Sequence, residues 1–224
     1  MTIRTGNARN PNTNYKTSKY CVAYLDILGG KSIIYNDDTN EHLNKINMIF
    51  EDALHESKIF TQGEKHNIFV KIFSDNILLA IPTDDKNRKQ NIEKIIVLVS
   101  NIIQEIADYG YLMRGAIIEG EFFGNSIIAY GKALVDVVKM EEEYAIYPRI
   151  IAQKEIAKLL SQYFYLCEDG WHIVNHYVLS IEYFSSLRYK NTLLKQLEKN
   201  KKTPKISQKI IWAITNFNDI SSAM

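Results

Sequence analysis

The chain has 224 residues, 46% of them hydrophobic, with 27 Lys and Arg against 26 Asp and Glu; that is room for one ample domain whose core needs no covalent staples. The even charge balance leaves no global electrostatic footprint for nucleic acid or an anionic membrane, so any phosphate binding is local. No apolar stretch reaches bilayer length, the first residues lack a signal-peptide block, and Cys21 and Cys167 sit in apolar or aromatic surroundings without ligand spacing, which together predict a soluble, cytoplasmic protein with reduced, buried thiols.

Residues 1–18 are rich in Asn, Thr and basic side chains and carry no burial period, which reads as a flexible tail. From Tyr20 an apolar run leads to Leu25, Asp26, Ile27, Leu28, Gly29 and Gly30. An apolar run this short is a buried strand, and a carboxylate at its end followed by paired glycines marks a site. Gly29 and Gly30 permit a sharp turn with close backbone approach, and a helix opens at Lys31 whose amides are available to a phosphate. Leu43, Ile46, Phe50, Ala53 and Leu54 recur at helical spacing and predict a helix over 41–58 lying across a sheet.

Ile68–Phe73 and Ile77–Ile81 are apolar runs flanking Ser74, Asp75 and Asn76, a hairpin with an acid at its tip. Laid beside the first strand, this hairpin directs Asp75 and Asp26 at one spot, and paired carboxylates beside a glycine turn suit a divalent metal and a phosphate chain. Ile92, Ile95, Ile96, Val99, Ile102, Ile103 and Ile106 form the most regular helical stripe, closed by Tyr109 and Gly110. Leu112–Glu119 reads as a strand interrupted by Gly115, with a loop beginning at Gly120. A helix over 132–143 ended by Pro148 and a short strand over 149–152 follow. Strands alternating with helices in this order predict an α/β sandwich of the ferredoxin-like palm type, its helices on one face of an antiparallel-containing sheet. Tyr163–Cys167 and Trp171–Val174 form a second hairpin, completing a domain over 19–180. Residues 181–224 read as a helical extension packed on that domain, with a basic, Pro204-containing linker between its two helices. His172 and His176 are four apart but not on one helix face, so the histidines offer no metal site.

Taken together, Leu25–Gly30, Phe73–Asn76, the Arg114, Gly115, Ala116, Ile117 strand, the Tyr130–Gly131 helix start and Pro148, Arg149, Ile150 resemble, in the same order, the motifs of class III nucleotidyl cyclases. Within that class they resemble the pyrimidine (uridylate or cytidylate) cyclases of bacterial Pycsar anti-phage systems. The likeness extends to Lys209–Asn218 around Trp212, similar to the family's closing helix. It implies conversion of UTP or CTP to a 3′,5′-cyclic nucleotide and pyrophosphate, with UTP favoured as the commoner substrate of the family, and a product read by a separate effector protein. It also implies two divalent ions, Mn2+ or Mg2+, on Asp26, Asp75 and the backbone carbonyl of Ile27, which activate the ribose 3′-hydroxyl and neutralise the leaving pyrophosphate. Leu28, Gly29, Gly30, Lys71 and Arg114 are the implied nucleotide contacts, Lys139 a catalytic cation, and a homodimer with the site at its interface the active unit.

Some positions depart from the pattern. Val135 and Lys139 stand where the wider class carries a ribose-orienting Asn and a charge-stabilising Arg, and Lys supplies a point charge without the planar fork. Lys71 and Ile128 stand at the adenine-reading pair, so the acid is lost, and Gly30 replaces a bulky aromatic. Each residue also has a plain structural reading: Asp26 as a turn cap, Asp75 as a hairpin-tip residue, Arg114 as an ion-pair partner, Lys71 and Lys139 on solvated faces. Two other functions compete with the cyclase, a non-catalytic nucleotide-binding palm and a different palm-fold nucleotidyl transferase; the second lacks its Gly, Gly, acid turn here.

Overall fold

The computed structural model describes residues 14–59, 68–179 and 183–222. β1 (Ser18–Ile27) lies at the centre of a sheet, between β3 (Asn76–Pro82) and β4 (Met113–Gly124), antiparallel to both. Its alternation decides the layers. Cys21, Ala23, Leu25 and Ile27 join one apolar cluster, while Val22 and Tyr24 join another on the opposite face, as the period of two requires. Residues Ser74 and Asp75 alone separate β2 (Phe69–Phe73) from β3, with Ser74 at φ 59. The full order is β2-β3-β1-β4-β6-β8-β7, with β6 (Ile150–Ala152) parallel to β4, and β7 (Phe164–Leu166) and β8 (His172–Val174) forming the second expected hairpin.

Two helical layers sandwich this sheet, which corrects the expectation of helices on one face. α1 (Gly30–Tyr35) follows the glycine turn, and α2 (Glu41–Ile59) packs on α3 (Arg88–Asp108). The isoleucine stripe of α3 is buried throughout against the odd-numbered face of β1. α4 (Lys132–Tyr144) covers the even-numbered face, burying Ala133 and Val137 against β1 and β4. Leu43, expected in the buried stripe of α2, is exposed, while Ile46, Ile49 and Phe50 carry the packing; the side chains of Ala53 and Leu54 lie outside the described ones.

The loop expected at Gly120 is instead strand. β4 runs on to Gly124, and a Cβ at Gly120 would come within 3.2 Å of Ala133 Cβ, so the glycine serves close approach of α4, not a turn. Three short elements escape the periodicity reading because they span too few residues to display one: β5 (Ala129–Tyr130), α5 (Lys154–Leu159) and α6 (His176–Leu179). α7 (Tyr183–Asn200) and α8 (Pro204–Ser222) send Tyr189, Leu193, Ile210, Ala213 and Phe217 into the α3-side cluster. Pro204 is not in a linker; it is the first residue of α8, where its missing N–H costs no intrahelical bond. Arg149, buried, pairs with Asp169 at 2.6 Å and lies 5.1 Å from the Trp212 ring, which stacks on Tyr147 at 4.4 Å, so α8 is tied to the sheet through the Pro148–Arg149 segment. Of the expected tail, residues 1–13 lie outside the described residues, and Tyr15 meets Phe123 at 5.3 Å. Among the described residues no helix is long and apolar enough to cross a membrane.

Ile95 is completely buried and Val135 is 66% exposed. Ile95→Ala is expected to cost about 2–5 kcal/mol in urea unfolding of the dilute protein, and Val135→Ala to stay within about 0.5 kcal/mol. Comparable losses for the two would contradict this layer assignment.

Candidate active site

The ends of β1, β4 and the β2–β3 hairpin converge under the C-terminal half of α4, and their register fixes what meets there. Asp26 is paired with Asn76 on one side and Arg114 on the other. Asp75 follows from the two-residue turn, and its carbonyl accepts the Ile27 amide at 3.2 Å. Its side chain is held by Asn76 Nδ2, which donates to Oδ1 at 3.2 Å, while Tyr24 donates its hydroxyl to Asn76 Oδ1 at 2.7 Å. The resulting Tyr24–Asn76–Asp75 chain orients the acid.

Gly30 explains why no aromatic stands after the turn. A Cβ built there would lie 1.8 Å from Asp75 Oδ2, so the carboxylate occupies the space that any side chain would need. Asp75 therefore packs directly against the first residue of α1.

Arg114 donates from Nε to Asp26 Oδ2 at 3.0 Å, with a second nitrogen also 3.0 Å from that oxygen. Its Nε lies 2.9 Å from Glu141 Oε1 as well, without the direction of a hydrogen bond, so this second contact is a charge pairing. Glu141 comes from α4, with its side chain 2% exposed. Burial pushes its carboxyl up to about 7, against the pull of Arg114 and with help from Asp26 and Glu142. Burial also raises Asp26; Arg114 opposes the rise and Asp75 adds to it.

These groups line a cavity of about 440 Å³ together with Lys31, Ile34, Tyr35 and Glu142. Among the described residues, four carboxylates, Asp26, Asp75, Glu141 and Glu142, face two cations, Lys31 and Arg114. An excess of negative charge in a concave, partly buried space attracts cations and repels a bare triphosphate. Among the described residues no group of three or more His, Cys, Asp or Glu is arranged to hold a metal. The pair Asp26 and Asp75 nevertheless fits hard divalent ions, which bind through one or two carboxylates and complete their shell from substrate phosphates and water.

Of the residues singled out in the sequence, Asp26, Asp75, Gly30 and Arg114 come together here. Leu28 and Gly29 line a different cavity, behind α1. Lys71 donates to the Ser126 carbonyl at 2.8 Å and does not line the acidic cavity. Lys139 is 67% exposed, 3.9 Å from Glu143, and outside the cavity too. Glu141, Tyr24, Asn76 and Lys31 were not singled out. Glu141 had a legible signal: it continues the Ala133, Val137, Met140 stripe on the buried side of α4, where a carboxylate requires a partner.

No protein-family model matches the chain, and no curated protein sequence matches it. Solved structures do. The monomeric guanylyl cyclase domain of the RhoGC fusion protein from the aquatic fungus Blastocladiella emersonii is similar with a TM-score of 0.57 at 14% identity, over 72% of this chain and 96% of that one. The catalytic core of a rhodopsin-guanylyl cyclase with converted specificity, in complex with ATPalphaS, gives 0.52 at 13% identity over 71% and 94%. An adenylyl cyclase from P. aeruginosa gives 0.51 at 14% identity over 71% and 95%. The fold is therefore the palm of class III nucleotide cyclase domains, as the sequence motifs led one to expect.

The raised carboxyl of Glu141 gives stability a pH dependence of definite sign. Between about 4.5 and about 7 the folded protein keeps a proton that the unfolded chain has released, so stability is greatest below this window and falls as pH rises through it. The fall attributable to Glu141 is about 2–3 kcal/mol, and Asp26 acts in the same direction. Urea unfolding in EDTA from about pH 5 to about pH 8 should show a clearly smaller decline for Glu141→Gln than for the natural chain. Equal declines would remove Glu141 from this role.

Proposed function

We propose that this protein is a nucleotide cyclase that converts UTP, or CTP, to the 3′,5′-cyclic nucleotide and pyrophosphate. The product acts as a second messenger in antiviral, anti-phage defence and is read by a separate effector protein. The observation that carries the reading is the convergence of Asp26 and Asp75, braced by Arg114 and Asn76, in an acidic cavity at the strand ends of a cyclase-type palm.

Asp26, Asp75 and the Ile27 carbonyl would hold two divalent ions, Mn2+ or Mg2+, which when bound supply the positive charge that a triphosphate requires to enter this cavity and that favours loss of the 3′-hydroxyl proton. The chain's own groups position and balance. Arg114 holds Asp26 in place and neutralises part of its charge, Gly30 leaves room for Asp75, and Lys31 adds a cation at the cavity wall. In the reaction the ribose 3′-oxygen bonds to the α-phosphorus as the bond to the pyrophosphate oxygen breaks and the hydroxyl proton is released.

A homodimer with the site at its interface accounts for the residues the single chain leaves outside. Val135 and Lys139 are one turn apart on an open face of α4, and Ile127 and Tyr130 nearby in sequence are 81% and 64% exposed. A second copy covering this apolar surface brings Lys139 to the partner's phosphates. Lys71 and the loop carrying Ile128, joined through Ser126, form the base-reading wall. An apolar Ile128 leaves the adenine amino group unpaired, a loss of roughly tenfold to hundredfold against ATP. A non-catalytic nucleotide-binding palm is the second reading, favoured by Val135 at the ribose-orienting position and by the cation already resting on Asp26.

Purified protein incubated with ATP, GTP, CTP or UTP and manganese or magnesium should form a cyclic pyrimidine nucleotide. Asp26→Asn and Asp75→Asn should each lower turnover by several orders of magnitude with little change in melting temperature. Near-normal turnover in either variant would rule out the two-metal assignment; a natural chain that binds nucleotide without turnover would establish the second reading. Mixing Asp75→Ala with Lys139→Ala chains should restore part of the activity, and no recovery in demonstrated mixed dimers would refute a shared site that uses Lys139.

A further inference from the structure

A second cavity, of about 550 Å³, lies behind α1 and is enclosed by α2, the Tyr109–Leu112 segment and the C-terminal helices α7 and α8. Its sign is opposite to that of the first. Lys45, Lys199, Lys205 and Lys209 line it with His42, and among the described residues no lining residue is a carboxylate. Lys45 is paired with Glu41, but Lys199, Lys205 and Lys209 have no ion-pair partner among the described residues. The remaining lining suits an organic phosphate: the rings of Tyr109 and Tyr111, the amides of Asn36, Gln196 and Asn200, and the Ser32 hydroxyl. His42 Nδ1 lies 2.6 Å from the Tyr111 hydroxyl, which fixes both rings. The volume falls within the range of small-molecule sites, about 300–1,000 Å³.

One thin partition separates the two cavities. Ser32 and Ile33 of α1 and Asn36 just after it face the basic one, and Lys31, Ile34 and Tyr35 face the acidic one; Leu28 and Gly29 line the former while Gly30 backs Asp75 in the latter. From the far side, Lys209 lines the basic cavity and stands close enough to Arg114 and Glu141 for their charges to act on it.

We propose that the basic cavity is a second, regulatory site for a small phosphorylated anion, and that its occupancy sets the position of the Gly29–Gly30 turn and hence of Asp75. An anion there neutralises three clustered lysines, draws α8 towards α1 and fixes the turn that the acidic cavity depends on. The site is built by this chain's own residues, so the inference stands whether or not the acidic cavity catalyses cyclisation.

The probe is inorganic tripolyphosphate, titrated by calorimetry in EDTA so that no divalent ion recruits it to the acidic cavity. Saturable one-to-one binding is expected, weakened about tenfold or more in the Lys199→Glu/Lys205→Glu double variant and unchanged in Asp26→Asn. Hydrogen exchange across residues 28–36 should slow on saturation in the natural chain and in Asp26→Asn but not in the lysine variant. The lysines are at the surface, and a matching melting temperature confirms that the variant is folded. The proposal is overturned by absent binding, by binding that survives the lysine changes, by unaltered exchange at 28–36, or by the same effect from sodium chloride at equal ionic strength. An absence of cyclic nucleotide synthesis would refute the cyclase reading and leave each of these results unchanged.

Discussion

Carboxylates brought together out of water repel one another and lose hydration, and one guanidinium, that of Arg114, makes their assembly tolerable here. It reaches Asp26 from the neighbouring strand and Glu141 from the helix above. Loss of Arg114 would leave Glu141, its side chain 2% exposed, without a counter-charge, whereas loss of Asp26 leaves Arg114 still beside Glu141. Arg114 does not cancel the site. With Asp75 and Glu142 also present and Lys31 the only further cation among the described residues, the cavity remains short of positive charge, and that shortfall is its chemical character. Such an excess of negative charge attracts cations and repels a bare polyanion.

The backbone sets where these groups meet, and side-chain hydrogen bonds then orient them. The antiparallel register sets Asp26 beside Arg114 and Asn76, and a slip of one residue would send Asp26 to the opposite face of the sheet. The same alternation that buries Cys21, Ala23 and Leu25 under α3 presents Tyr24 and Asp26 to α4. Packing of the core therefore specifies the position of the site, and a two-residue hairpin turn with Gly30 behind it specifies the approach of Asp75. Rigid strand ends are well suited to this, since they hold charged groups in place at little entropic cost beyond that already met in folding.

α1 gives the molecule a further feature, a six-residue wall between an acidic and a basic cavity. The C-terminal helices supply most of the positive charge behind that wall and also contribute to the main core. A segment that reads in sequence as an extension thus lines a cavity that shares α1 with the acidic one. Its lysines gather on one side of the glycine turn while the carboxylates gather on the other, a separation of charge that a near-neutral composition conceals.

The sequence by itself determined the strands and long helices, because their apolar periods of two and of about 3.6 are local properties of the chain. It also determined the Asp26 and Asp75 pair, since an acid at the end of an apolar run stands out against its neighbours. What depends on approach between distant segments was decided only by the tertiary structure. The second face of the sheet acquired its helix through Gly120, a position that reads locally as a break. Glu141 became part of the site only because α4 brings it to Arg114, 27 positions earlier in the chain. Leu28 and Gly29 parted from Gly30 because consecutive residues of a tight turn face opposite sides of α1. Lys199 and Lys205 read as part of a basic linker until folding set them, with Lys209, across from α1, since the sign of a cavity is a sum over residues that sequence order keeps apart.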